Sequence, residues 1–312
     1  MATRNLVLLF DGTWNKATEN GDDNQTNVEK LYHFLPKNYK YNVHYEEGVG
    51  TKSNEKILGG TFGAGIDERI SGAYRFLQRR YAEDTDNKLF IFGFSRGAYT
   101  ARTFAQLLYY CGMPRKEQNM KNAWKSYYKQ DSEAANKLKK SDNFFDVEIE
   151  MLGVWDTVKS TKDPDRKDTV LYPNVKAAYH AIAIDEKRKN FPILHFDTDS
   201  RVTQTWFSGV HSDIGGGYPD EESQLSNITL SWMIDAAKKH GLEFIENIND
   251  RLALDTDGTS KMHDSYCGNW RVLGKHIRQI NPNDHVHSSV RTRILNNASY
   301  RPLNLPDNPL YI

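Results

Sequence analysis

Apolar positions along this chain fall into short solid runs and longer spaced ones, and the alternation of the two is that of a parallel sheet wrapped in helices. Asn5–Phe10 and Leu89–Phe92 are continuous runs of strand length, as strands buried on both faces require. Val147–Trp155 and Thr203–Gly209 read the same way, Asn42–Glu47 alternates Val43 with Tyr45, and Leu194–Phe196 is a shorter strand. Spaced apolar positions predict helices over Asn27–Leu35, Ile66–Tyr81, Ala98–Tyr110, Val175–Ile184 and Leu225–His240, the first capped by Thr26 and the last stopped at Gly241. Residues 114–143 are lysine-rich and polar with two short helical patterns, and predict a mobile cap or an excursion over the sheet. From 241 to 312 the pattern dissolves into an irregular part of short polar and aromatic segments. No repeat and no Pro-, Gly- or Ser-rich linker divides the chain. The expectation is a single α/β domain over 1–312, its sheet mostly parallel with helices on both faces.

Composition narrows the partners. Lysine and arginine number 41, and so do aspartate and glutamate, so no net basic field points to nucleic acid. Two cysteines, Cys111 and Cys267, make no disulfide framework and no metal-ligand spacing. The first residues carry a run of five apolar positions before Asp11, too short for a signal-peptide core, and no apolar run reaches the length of a membrane span. A soluble, cytoplasmic protein is expected, with any contact to a membrane surface transient.

The chemistry is carried by Lys88–Arg102, KLFIFGFSRGAYTAR. Its apolar strand, tight Gly93-Phe94-Ser95-Arg96-Gly97 turn and following helix form the setting in which a Gly-x-Ser-x-Gly serine is held exposed on a strained bend. The Arg96 N–H opens the helix and faces a developing oxyanion. Two later strands end in Asp156 and His211, giving the chain order Ser…Asp…His of α/β hydrolases. A serine hydroxyl needs an imidazole to take its proton, and the imidazole needs a carboxylate to fix its tautomer. His287 is the rival base; His263 sits in a polar loop, and His180 lies on a predicted helix. Asp213 and Asp11 are the rival carboxylates, Asp11 being expected to shape its own turn and leave the Gly12 or Thr13 N–H as a second oxyanion donor. Residues 58–65, LGGTFGAG, lack Gly-Lys-Ser/Thr and a preceding strand, so they predict a flexible turn rather than a phosphate loop. No metal or cofactor is expected. The residues alone leave open a hydrolase-fold protein that binds a ligand or partner without turnover.

Together LVLLFDGTWN, GFSRGAYTAR, GVWDTV, HAIAIDE and WFSGVHSDIGGGY, in that order over residues 5–220, resemble a bacterial and fungal α/β-hydrolase family first described only as a domain of unknown function. That family includes phospholipase effectors of type VI secretion systems. The resemblance implies Ser95 as nucleophile, His211 as base and Asp156 as acid, acting on a carboxylic ester, lipid acyl esters included. It also implies export by a system that uses no signal peptide. A chain ending at Ile312 is expected to be the hydrolase part without the large membrane-targeting region of the secreted members.

Overall fold

The computed structural model describes residues 4–12, 24–48, 64–81, 86–159 and 168–312. In chain order the elements are β1 (Arg4–Phe10), α1 (Asn27–Phe34), β2 (Val43–Glu46), α2 (Ala64–Arg80), β3 (Asn87–Phe94) and α3 (Arg96–Cys111). Then come β4 (Met113–Pro114), α4 (Met120–Tyr128), α5 (Ser132–Lys139), β5 (Phe144–Phe145), β6 (Ile149–Trp155), β7 (Ala178–Ala183) and β8 (Val202–Phe207). The chain closes through α6 (His211–Gly215), α7 (Gln224–Lys239), α8 (Ile248–Arg251), β9 (His285–Val286), α9 (Ser288–Asn296) and β10 (Leu310–Tyr311).

Eight described strands form one sheet in the order β10-β9-β8-β7-β6-β3-β1-β2, every neighbouring pair parallel. The period of two in the apolar runs divides each strand between two cores. Leu6, Leu8 and Phe10 of β1 join Leu89 and Ile91 of β3 under α2 and α3; Val7 and Leu9 join Phe90 and Phe92 under α1 and α7. Helices thus cover both faces of a parallel sheet, the arrangement of an α/β-hydrolase-like fold. Because β1 has β2 on one side and β3 on the other, a switch in strand order opens a crevice at the carboxyl ends of β1 and β3. Asp11 and Ser95 stand there.

Three expectations are corrected. Val175–Ile184 is not a helix: its centre is β7, because each flank of the sheet needs a strand and the run Ala178–Ala183 is short, apolar and buried on both sides. His180 therefore lies inside the sheet. Leu194–Phe196 is not a strand but irregular backbone, tied down by Arg102, whose guanidinium donates to the Leu194 and His195 carbonyls at 2.6 and 2.9 Å. The last seventy residues are not merely irregular, since β9 and β10 extend the sheet edge beside β8.

The 114–143 segment docks instead of hovering. Met120, Ala123, Tyr127 and Ala135 are buried in the α3 core, Cys111 Sγ lies 3.4 Å from the Ala123 carbonyl, and Lys139 Nζ donates to Tyr109 O at 2.9 Å. All these anchors fall on the carboxyl end of α3, a helix of about 24 Å at 1.5 Å per residue, so the segment sits at the end remote from Ser95. The glycine-rich stretch 58–65 lies outside the described residues except for Ala64 and Gly65, which open α2.

Candidate active site

β3 delivers Ser95 into a backbone shape few residues adopt. Ser95 has φ 58° and ψ −122°, in a sparsely populated region that costs on the order of 1–3 kcal/mol and persists only when its surroundings enforce it. The enforcement is visible: Ser95 N–H donates to Trp155 O at 3.0 Å, and Val158 N–H donates back to Ser95 O at 3.4 Å. A Cβ at Gly93 would lie 2.6 Å from the Gly97 carbonyl, and one at Gly97 would overlap the carbonyls of Phe10 and Asp11. These two glycines let α3 start directly against the end of β1. Gly97→Ala is expected to cost about 1–3 kcal/mol of stability through overpacking, read as a lower denaturant midpoint at unchanged slope.

Asp156 follows β6 with φ 42°, its N–H donating to Ala181 O at 2.8 Å. His211 opens α6 after β8. The three side chains meet: His211 Nε2 is 2.8 Å from Ser95 Oγ, and His211 Nδ1 is 2.5 Å from Asp156 Oδ2. All three residues are buried. The Nδ1–H donates to the carboxylate, which leaves Nε2 as the acceptor for the serine proton. Phe94 and Phe191 hold the imidazole from either side, with ring centroids 4.7 and 5.0 Å away.

Asp156 is held by more than the histidine. Arg278, wholly buried, donates from one guanidinium nitrogen to Oδ1 at 2.6 Å and from the other to Oδ2 at 2.9 Å, a bidentate clamp. The same two nitrogens donate to the carbonyls of Ala183 and Phe191, each at 3.0 Å, and Ala183 N–H completes the carboxylate's shell at 3.0 Å. Burial alone would raise the Asp156 pKa, but Arg278 first and then His211 hold it well below the usual carboxylate range.

Asp213, the rival acid, faces a different histidine. Its carboxylate accepts the Val210 N–H at 3.0 Å and sits 2.6 Å from His263 Nδ1, while His263 Nε2 is 2.9 Å from Glu222 Oε2. The Tyr218 ring stacks on that imidazole with centroids 3.4 Å apart. Burial works against the charged imidazole, yet hydrogen bonds to Asp213 and Glu222 outweigh it and raise the His263 pKa above 6.5. The folded protein therefore holds a proton that the unfolded chain releases, so His263 stabilises fully below pH 6.5 and less as pH rises through its folded pKa. The stability gap between wild type and His263→Gln should shrink over that window, measured by thermal melts at successive pH values.

The other candidates disperse. His287 caps α9, its Nδ1 2.8 Å from Ser289 Oγ, and burial lowers its pKa to about 4. His180 accepts the Thr157 N–H at 3.2 Å and donates toward Gln204, with burial holding it neutral. Asp11 shapes its own turn: its carboxylate accepts from Thr26 Oγ at 2.7 Å and from the Tyr45 hydroxyl, and burial raises its pKa to about 6 against those bonds. The Gly12 N–H donates to Asp11 Oδ1 at 2.6 Å, so it is engaged within that turn rather than standing open as an oxyanion donor. Thr13 lies outside the described residues. The Arg96 N–H stands at the first turn of α3, and burial followed by the nearby Arg69 lowers its side-chain pKa to about 10.

Two residues of this site gave little sign of themselves in the sequence. Arg278 is one cation in an irregular stretch, with no motif around it. Glu186 belongs to the HAIAIDE motif, and it braces the His211 backbone by accepting its N–H at 3.2 Å while Arg188 and Ser265 bind its oxygens.

The fold and this site define an α/β-hydrolase-like protein, and comparison with known proteins gives the family. Residues 4–236 match the catalytic domain of the type VI secretion system phospholipase effector Tle1-like family, and the chain belongs to that family. An uncharacterized protein of Saccharomyces cerevisiae is 29% identical over 228 residues, 62% of this chain; the match spans 33% of that relative's length. Two solved structures are similar at 17% identity over 82% of this chain, each with a TM-score of 0.49. One is an uncharacterized protein from Pseudomonas aeruginosa, of which 49% is covered; the other is the Tle1 effector bound to the VgrG spike from the Type 6 secretion system, of which 77% is covered.

Proposed function

We propose that this chain is a serine hydrolase that cleaves carboxylic esters of lipids through an acyl-enzyme on Ser95. The observation that carries the reading is the relay from Ser95 Oγ, 2.8 Å from His211 Nε2, to Asp156, 2.5 Å from His211 Nδ1. Ser95 Oγ attacks the ester carbonyl carbon as His211 Nε2 takes its proton. The oxyanion forms against the Arg96 N–H at the positive end of α3, where a fixed donor acts on charge that develops only in the transition state. His211 then gives its proton to the departing alkoxide, which leaves as the alcohol. A water loses its proton to the same nitrogen and attacks the acyl carbon, releasing the acid and restoring Ser95. Asp156 keeps the imidazole in the tautomer this needs, and Arg278 keeps the wholly buried Asp156 ionised.

The family supplies the lipid part of the reading, because its model describes a phospholipase. Export follows from the same kinship as an expectation for this chain. Among the described residues no helix is long and apolar enough to cross a membrane, so an ester in a bilayer would be reached from its surface. A fluorophosphonate probe tests the chemistry. It should label the wild type covalently and leave folded Ser95→Ala unlabelled; folded wild type that resists the probe would favour a protein that binds without turnover.

A further inference from the structure

Beside the imidazole the chain exposes apolar side chains where a soluble surface would bury them. Val272, Leu273 and Ile277, within six residues of one another, are 87%, 50% and 46% exposed. Isolated exposed apolar residues are ordinary on protein surfaces, but three on one tip form a patch that asks for an occupant. The tip is also cationic. Arg271, Lys275 and Lys189 are exposed around it, and none of them enters an ion pair among the described residues. The exposed carboxylate nearest in sequence, Asp264, is turned onto its own backbone and accepts the Tyr266 N–H at 2.9 Å.

Position separates this patch from a chance one. Trp270 packs on Phe191 with ring centroids 5.4 Å apart, and Phe191 packs on His211 at 5.0 Å. The tip therefore stands two residues beyond the aromatic wall of the catalytic imidazole. It is braced on its inner side, Lys189 N–H donating to Gly274 O at 3.2 Å and His276 N–H to Lys187 O at 2.9 Å. The residue just after it, Arg278, is the clamp on Asp156. A braced apolar tip ringed by cations, next to a site that cleaves lipid esters, fits the boundary between acyl chains and anionic head groups.

We propose that residues 270–277 dock this protein on an anionic phospholipid surface, with Val272, Leu273 and Ile277 entering the acyl boundary while Arg271, Lys275 and Lys189 meet the head groups. The proposal rests on the lipid-ester reading above, and the two can fail separately. The Ser95→Ala protein, which cannot consume the probe, is sedimented with vesicles of phosphatidylcholine and phosphatidylglycerol in equal parts, and with vesicles of phosphatidylcholine alone. Binding to the mixed vesicles is expected. It should fall about tenfold or more in Val272→Glu/Leu273→Glu, which removes the apolar anchor. Arg271→Gln and Lys275→Gln should each weaken it about fivefold on mixed vesicles and hardly at all on neutral ones. In the Ser95 background, Val272→Glu/Leu273→Glu should hydrolyse a water-soluble short-chain ester at the wild-type rate while losing activity on vesicles. Absence of binding, equal binding by the double variant, or a wild-type dimer that the double variant splits into monomers would each overturn the docking proposal. Tip-dependent binding by a wild type inert to soluble esters would instead uphold docking and sink the hydrolase reading.

Discussion

Asp156→Asn is expected to slow ester hydrolysis by about 10⁴-fold in kcat, whereas Asp213→Asn stays within about tenfold of the wild type. One carboxylate follows β6 and the other lies in α6, and each faces its own imidazole. An amide at 156 presents an NH₂ group where Nδ1–H now donates, which favours the tautomer that carries its proton on Nε2 and cannot accept one from Ser95. Arg278 adds a second consequence. With Asp156 neutral, its guanidinium is a buried charge without a counterion, and losing one partner of such a pair costs on the order of 3–5 kcal/mol. Rates are therefore compared below the melting point of each variant, and Asp156→Asn/Arg278→Met separates the two effects: it should recover stability without recovering rate. Asp213→Asn should lower the melting temperature by loosening His263 and the start of α6. Full activity in Asp156→Asn with a dead, folded Asp213→Asn would move the acid to Asp213.

Replacing His211 by alanine should be as damaging as replacing Ser95, each lowering kcat on the order of 10⁶-fold, and Ser95→Ala/His211→Ala should be no slower than either alone. Neither group works without the other: the hydroxyl is a poor nucleophile without the nitrogen 2.8 Å away, and among the described residues that hydroxyl is the one the nitrogen bonds. Steady-state rates on a soluble ester measure this, with circular dichroism to show that each variant folds. His287→Ala serves as the contrast, since that ring stacks on Phe207 at 4.7 Å and caps a helix. A near-normal rate in His211→Ala with loss in His287→Ala would reverse the assignment.

What could be read from the residues followed from local rules. Strand, glycine turn and helix around Ser95 are contiguous in sequence, so their geometry is written in one short segment. β1, β3, β6 and β8 announce themselves as apolar runs for the same reason. β7 reads as a helix in sequence because Ala-Tyr-His-Ala-Ile-Ala has a composition both structures tolerate, and only its neighbours β6 and β8 decide between them. The choice between Asp156 and Asp213 could not be made by spacing, since it depends on Asp156 reaching the ring nitrogen across 55 residues of chain. The Arg278 clamp lies 122 residues from its partner, beyond any periodicity. Gly12 shows the converse limit: its place at the end of β1 is legible, but its N–H bond to Asp11 is a matter of side-chain rotation.

The order in which these residues leave the ribosome gives Arg278 a further meaning. Ser95, Asp156 and His211 are all synthesised before it, and the carboxylate they share is buried where only that late guanidinium balances its charge. A nascent chain that has reached His211 thus holds an acid with no buried counterion, and the strand end bearing Asp156 has little reason to close over the imidazole. Closure waits for Arg278. The three side chains thus stay apart while the chain from Ser95 to His211 is made, and come together only after Arg278 has emerged.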